Sequence, residues 1–407
     1  MHIKERPEDF VVVEKSIVAH EKDDCIIIDV EKRDWDTTLL VRELARRCGV
    51  SHKSVGYAGL KDKRAVTRQK MSVYGVDEET VTRVRIPGAS IAVVGRGDRI
   101  EVGDLGGNTF DIVVRGIERD TCALAELLDA SVRRLETDGG FVNYFGYQRF
   151  GLSRPVTADV GKALVRKDYE DAVRTYIGAA YPADPYREVR SAFLEGMGFK
   201  EAYIAFPPSL SYERAMLFSL YETGGDYRRA LLALPSRLLM LFVHAYQSAL
   251  FNRIVEARLE TIPVAVAELG DMIVMERQGT RAFTTVNASN MRAVQARLSK
   301  DISVACPLLG HRSVLPRSTM GRIAEEILES EGISLQDFEN KDMPVLGSSG
   351  SGREILARCH DLSYQISGQA GDLSCSTHFT LGKGSYATVF LQQLFGCGIY
   401  PAGGEDL

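Results

Sequence analysis

Tryptophan, cysteine and histidine are scarce in this chain, and each scarcity narrows what the protein can be. Of 407 residues one is tryptophan, seven are cysteine and seven are histidine. The cysteine count is odd and no two cysteines have CxxC spacing, which argues for free thiols in a reducing cytoplasm and against a zinc ribbon. The histidines, at 2, 20, 52, 244, 311, 360 and 378, are scattered, with no HExxH and no pair at ligand spacing, so neither a metal nor a histidine base is expected. The most apolar stretch, residues 231–251, is interrupted by Pro235 and Arg237 and reads as a buried helix, so no membrane is expected. The charged start, His2-Ile3-Lys4-Glu5-Arg6, does not open a secretory signal. Gly-x-Ser-x-Gly is absent, Gly382-Lys383-Gly384-Ser385 lacks the spacing of a P-loop, and Gly347, Gly350 and Gly352 do not follow a strand as dinucleotide-binding glycines do.

What is present is positive charge gathered in one place. Residues 46–70 hold eight Lys/Arg and a single acid, Asp62, a local charge of +7 in a chain whose net charge is −5. An acidic protein with one basic segment is suited to a local polyanion site, because steering depends on the field at the site and not on the total. Asp62 lies between Lys61 and Lys63, and nearby cations favour an ionised carboxylate, able to serve as base or nucleophile. If the loop is extended, Lys61 and Lys63 point to opposite faces and only one meets a ligand. Gly56, Ala58 and Gly59 just upstream would let a flat group approach the backbone. The plain alternative is a solvated charged turn. A second constellation, Asn143-Tyr144-Phe145-Gly146-Tyr147-Gln148-Arg149-Phe150-Gly151, interleaves aromatics with amides and arginine. Aromatic faces stack on exposed bases, amides read base edges and arginine meets phosphate. A core strand followed by a turn would produce a similar string.

The pattern predicts short strands at 10–14 and 25–30, then a helix capped by Asp36 or Thr37 and ended by Gly49. Further strands are expected at 55–60, 71–74, 91–94, 99–102 and 109–114, and a helix at 123–135. The first 150 residues thus read as an α/β or α+β domain. The character then changes: residues 236–259 read as a strong amphipathic helix, and the glycines and serines of 344–352 as a flexible connection. At this length two domains are the default, and one inserted in the other is compatible with these shifts.

The two constellations together resemble the TruD family of pseudouridine synthases. Gly59-Leu60-Lys61-Asp62-Lys63-Arg64-Ala65-Val66-Thr67-Arg68-Gln69 is similar to its catalytic motif, and residues 143–151 to its Asn-x-Phe-Gly-x-Gln-Arg-Phe-Gly motif. Lys4-Glu5-Arg6-Pro7-Glu8-Asp9-Phe10, Ala245-Tyr246-Gln247-Ser248-Ala249-Leu250-Phe251-Asn252 and Lys383-Gly384-Ser385-Tyr386-Ala387-Thr388 resemble its other signatures. Asp36 stands where members often have Asn, and Gly382 where many have Pro. The resemblance is to the larger, archaeal- or eukaryote-like form.

The resemblance implies a pseudouridine-synthase core with a mixed, largely antiparallel sheet, formed by residues 1–152 and about 345–407. A large α/β insertion, the TRUD domain, would span about 153–344, with helix 236–259 free to pack on the core. It implies isomerisation of uridine to pseudouridine in tRNA, usually uridine 13 of the D arm, without cofactor or metal. Asp62 would be the essential carboxylate. Lys4 would pair with it, Phe145 would stack on the uracil, Asn143 would bond near the base, and Gln69 would brace the loop. Lys53, Lys61, Lys63, Arg64, Arg68 and Arg149 would meet phosphates. A cytoplasmic monomer is the default. The competing reading is a tRNA-binding protein or RNA chaperone with little or no catalysis; a nucleotide-using transferase has less support.

Overall fold

A parallel pair of strands, Phe10–Ser16 and Val66–Tyr74, sits at the middle of a sheet whose other main-path neighbours are antiparallel. The structure, a computed structural model, describes residues 1–402 except 183, 278–279, 299 and 370–371. The chain divides into two units: Met1–Phe141 with the segment that begins at Ala357, and Val142–Leu356. In the first unit the strands run in the order Cys359–Gln369, Asp372–Gly382, Leu105–Ile117, Phe10–Ser16, Val66–Tyr74, Cys25–Arg33 and Ala89–Gly97.

Strand alternation assigns the faces. Phe379, Phe110, Val12, Thr67 and Lys32 stand opposite one another on successive strands, so all five share one face. Helix Thr37–Cys48 covers part of this face, with Leu40, Val41 and Leu44 packed among Ile28, Val30, Met71 and Val73. Burying each such leucine contributes roughly 1.5–3 kcal/mol. Asp36 caps the helix, its Oδ1 accepting from Leu39 N at 2.9 Å, and Gly49 ends it in the left-handed region at φ 71°. Helix Ala387–Phe395 covers another part through Phe390, whose ring lies 4.5 Å from that of Phe379, itself stacked on Phe110 at 5.3 Å. The same face carries Glu14, opposite Asn108, and Gln69, opposite Val30. It is therefore polar on its central strands.

Two local expectations fail here. Val66–Tyr74 is a full strand, so Arg68, Gln69 and Lys70 belong to the sheet and not to the basic loop. Residues 99–102 form no strand; Ile100 N donates to Ser72 Oγ at 2.9 Å instead of to a ladder.

The second unit contains an antiparallel sheet in the order Thr280–Thr285, Met272–Arg277, Ile302–Leu308 and Ser351–Glu354. Its long helix, Ser236–Leu259, is no amphipathic surface helix. The run Leu239, Phe242, Val243, Ala245, Tyr246, Leu250, Phe251, Ile254 and Val255 is buried on several sides within this unit's own core. By length and apolarity the helix could cross a membrane, but its most apolar window is 61% buried in the fold. Helix Thr157–Val165 crosses it closely: a Cβ on Gly161 would fall 2.0 Å from the Phe242 carbonyl oxygen. The 344–352 stretch is not a loose connection either. Its backbone is tied by Ser348 N to Phe338 O at 2.9 Å and His311 N to Ser348 O at 2.9 Å. A Cβ on Gly310 would fall 2.1 Å from Gly350 N, so these glycines serve close packing.

The fold is mixed α/β with a largely antiparallel sheet, as expected from the sequence.

Candidate active site

The central parallel pair explains how residues far apart in sequence meet. Val11 aligns with Val66, so the segments that precede these two strands leave the sheet at the same end. Lys4 lies in the first segment and Asp62 in the second, and Lys4 Nζ donates to Asp62 Oδ1 at 2.9 Å. The Lys4 side chain is 4% exposed and that of Asp62 22%. Lys4 Nζ also sits 4.2 Å from the centroid of the Phe10 ring, which gives the ammonium a second electrostatic partner. Lys4 has φ 60°, a left-handed conformation that costs a residue with a side chain about 1 kcal/mol or more. Its surroundings hold it there. The other Asp62 oxygen, Oδ2, has no hydrogen-bond partner among the described residues.

The loop bearing Asp62 has no ladder of its own, and side chains from the surrounding elements satisfy its backbone. Ala58 O accepts from Gly103 N at 2.9 Å. Gln69 Nε2 donates to Gly59 O at 3.1 Å. Lys61 N donates to Thr37 Oγ1 at 3.0 Å, and the same hydroxyl donates to Lys61 O at 3.3 Å. Lys32 Nζ donates to Asp62 O at 2.7 Å and to Trp35 O at 2.6 Å. Burial pushes the Lys32 ammonium down to about 8, against the pull of the Asp62 and Asp36 carboxylates. Gly56 does not leave room for a ligand, contrary to expectation. A Cβ there would fall 2.4 Å from Ile100 O and 2.5 Å from Ser72 Oγ, so its smallness serves the protein's own packing.

The expected phosphate contacts separate into groups. Lys61 is withdrawn from that role: its side chain is 6% exposed and pairs with the buried carboxylate of Glu14. Leaving Glu14 uncompensated in the sheet would cost far more than a surface contact returns. Arg68 is also corrected. Thr67 and Gln69 face the covered side, so alternation turns Arg68 to the opposite face, where its Nε meets Asp29 Oδ2 at 2.8 Å. Arg64 donates to the backbone oxygens of Glu5 at 2.9 Å and Ala402 at 3.3 Å, stitching chain segments together. Lys53 and Lys63 are exposed, with no ion-pair partner among the described residues.

In the second unit Phe145 is held by its backbone and by cations on its ring. Phe145 N donates to Asn252 Oδ1 and Asn252 Nδ2 donates to Phe145 O, both at 2.9 Å. The Arg353 guanidinium carbon lies 4.1 Å from the ring centroid and that of Arg149 5.9 Å, while Phe251 meets the ring edge-on at 5.4 Å. Asn143 is buried and reaches no open surface. Its Oδ1 accepts from Arg353 Nη2 at 2.6 Å and its Nδ2 donates to Glu354 O at 3.2 Å. Both ends of the Asn143 amide are therefore engaged within the protein. Arg149 Nε donates to Ser248 Oγ at 3.2 Å.

Sequence reasoning missed Lys32, Glu14, Arg353 and Asn252. Asn252 lay within the 245–252 segment but without a role. Lys32 offers one signal, a lysine that continues the alternation Ile26, Ile28, Val30 at an inward position. No group of three or more His, Cys, Asp or Glu side chains gathers into a possible metal site among the described residues.

The tRNA pseudouridine synthase D (TruD) family profile matches residues 1–394 of the chain. A protein of Thermococcus onnurineus named probable tRNA pseudouridine synthase D is 38% identical over 399 residues, covering 96% of this chain and 94% of its own. One of the same name from Methanopyrus kandleri is 38% identical over 377 residues, covering 91% and 86%. The crystal structure of a Methanosarcina mazei protein described as tRNA pseudouridine synthase D (TruD) superposes with a TM-score of 0.84 at 33% identity, covering 98% of this chain and 94% of that one.

Proposed function

The chain belongs to the TruD family of tRNA pseudouridine synthases, and on that premise we propose that it converts uridine 13 in the D arm of tRNA to pseudouridine with Asp62 as the essential carboxylate. The reaction breaks the N1–C1′ glycosidic bond, turns the uracil and joins C5 to C1′, C5 giving up its proton and N1 gaining one. It is an isomerisation, so no group enters or leaves overall. Addition of the carboxylate to the base and carboxylate-assisted loss of uracil from the sugar both need an ionised oxygen with a free lone pair. The observation that carries this reading is the split role of Asp62: Oδ1 is held by Lys4 at 2.9 Å, while Oδ2 has no hydrogen-bond partner among the described residues on a side chain that keeps 22% exposure.

The target uridine must leave its stack, which costs a few kcal/mol. Stacking on Phe145 would return about 1–3 kcal/mol, so phosphate contacts must supply the remainder. Lys53, Lys63 and Arg149 are the residues this reading assigns to phosphates. Asn143 and Arg353 support the Phe145 ring, and Gln69 braces the Asp62 loop through Gly59.

Incubation with transcript tRNA, followed by carbodiimide mapping, should give one pseudouridine at position 13. Asp62→Asn should lower turnover by at least about 10⁴-fold, the scale on which loss of a central catalytic group is felt. Its tRNA affinity should stay within about tenfold, since phosphate contacts dominate affinity. Turnover retained in that variant would remove Asp62 from its role. Salt-dependent tRNA binding by the wild type without product on any tRNA would favour a binding protein instead.

A further inference from the structure

We propose that Lys32 is a positioning residue whose ammonium fixes the main chain of Asp62 and so the place from which the carboxylate acts; this rests on the assignment of Asp62 above. Lys32 is 1% exposed and stands on the covered face of the sheet, between Thr67 and Ala89 on the neighbouring strands. From there its Nζ reaches two carbonyls in two separate irregular segments, Trp35 O at 2.6 Å and Asp62 O at 2.7 Å. The first segment follows a non-glycine left-handed residue, Asp34 at φ 54°. Neither carbonyl belongs to a helix or strand ladder, so a side chain of the same length without donors would leave both without Lys32's proton.

An apolar residue would be the cheaper occupant of such a site, because a buried ammonium is costly. What lysine adds is a charge-assisted donor, roughly twice as strong as a neutral one. Lys4 holds the carboxylate oxygen and Lys32 holds the carbonyl of the same residue, on either side of the Cα that the side chain turns about. A displacement of about 1 Å at a reacting group is enough to cost on the order of 10²-fold in rate.

The charged groups acting on the Lys32 ammonium are Asp62, Asp36 and Asp34, which favour its charge, and Lys61, which opposes it. Burial outweighs them and brings the ammonium down to about 8 from 10.5. Above pH 8 the tether loses its charge. Over the same interval the unfolded chain keeps a proton that the folded chain has released, so this group makes stability rise with pH from about 8 to about 10.5. Activity and stability are thus expected to move in opposite directions there.

The test measures kcat and KM for pseudouridine formation on tRNA from pH 7 to 9.5, for the wild type, Lys32→Met and Lys32→Arg, with thermal unfolding alongside. The wild type is expected to lose kcat above pH about 8. Lys32→Met should lower kcat about 10²-fold with KM within about threefold, and should lack that pH limb. Lys32→Arg, which stays charged, should restore much of the rate and flatten the limb. Lys32→Met with wild-type kcat, or with the limb intact, overturns the proposal. Should Lys32→Met not fold, the wild-type profile decides: a flat kcat overturns the proposal, and a fall in kcat with rising stability supports it. An inactive wild type would instead count against the proposed function, whereas an active wild type with an equally active Lys32→Met would sink Lys32 alone.

Discussion

The Asp62 loop and the Phe145 segment are both irregular, glycine-containing stretches, yet they are held in different ways. Charged side chains reach the Asp62 loop from strands and segments around it: Lys4 to the carboxylate, Lys32 to the carbonyl, and Glu14 to the side chain of Lys61. The Phe145 segment is held by a neutral amide, Asn252, which exchanges both backbone hydrogen bonds with it, and by guanidinium groups near its ring. In the proposed reaction the carboxylate needs a fixed direction and a compensating charge. The Phe145 backbone is fixed by uncharged hydrogen bonds, at lower desolvation cost, while two guanidinium groups lie beside its ring. The lesson is that the same loop-like sequence texture can conceal an electrostatic clamp or a geometric one.

The largest expected effect separates the two clamps. Lys4→Met should lower kcat by about 10²-fold or more, because it removes the cation at the carboxylate, and raising the salt concentration should not restore it. Asn252→Ala, in the other clamp, should act on structure before chemistry. It removes the two hydrogen bonds that Asn252 makes to the Phe145 backbone, an expected loss of about 2 kcal/mol measured by urea unfolding. Asn252→Asp keeps the acceptor for Phe145 N but removes the donor to Phe145 O, and should lose about half as much. The smallest effect lies within the basic segment itself. Lys63→Ala should lower the salt slope of tRNA binding by about 1, whereas Arg68→Ala, turned to the other face and paired with Asp29, should leave the slope unchanged. Equal slopes for the two variants would mean that the face assignment does not govern contact with RNA.

The helix 37–48, a cap at Asp36 or Thr37 and the Gly49 stop are readable because capping depends on residues within one turn; the structure selects Asp36. The strand containing Arg68 was read too short. Arg68, Gln69 and Lys70 look like loop residues until a parallel neighbour and an antiparallel one pair with them. The error carried over to Arg68, since the phase of alternation decides its face. Lys61, to which the resemblance gives a phosphate, has no acid near it in sequence except Asp62; Glu14 reaches it only through the fold. The glycines near 350 were read as freedom, although glycine serves equally where two backbones touch, as Gly310 and Gly350 do. Helix 236–259 and the burial of its apolar stretch are legible in the sequence, but the amphipathic reading fails, since burial on several sides leaves no one-sided pattern.

Most local elements, the gathering of positive charge around one aspartate, and the motifs that carry the family resemblance are properties of neighbours along the chain. Which cations serve Asp62 and which serve the fold is a matter of contacts between distant segments. That choice depends on a parallel register aligning Val11 with Val66, and on Lys32 standing beneath a loop that lies 30 residues on. Such pairings are fixed by the joint burial of whole strands, and no single residue announces them.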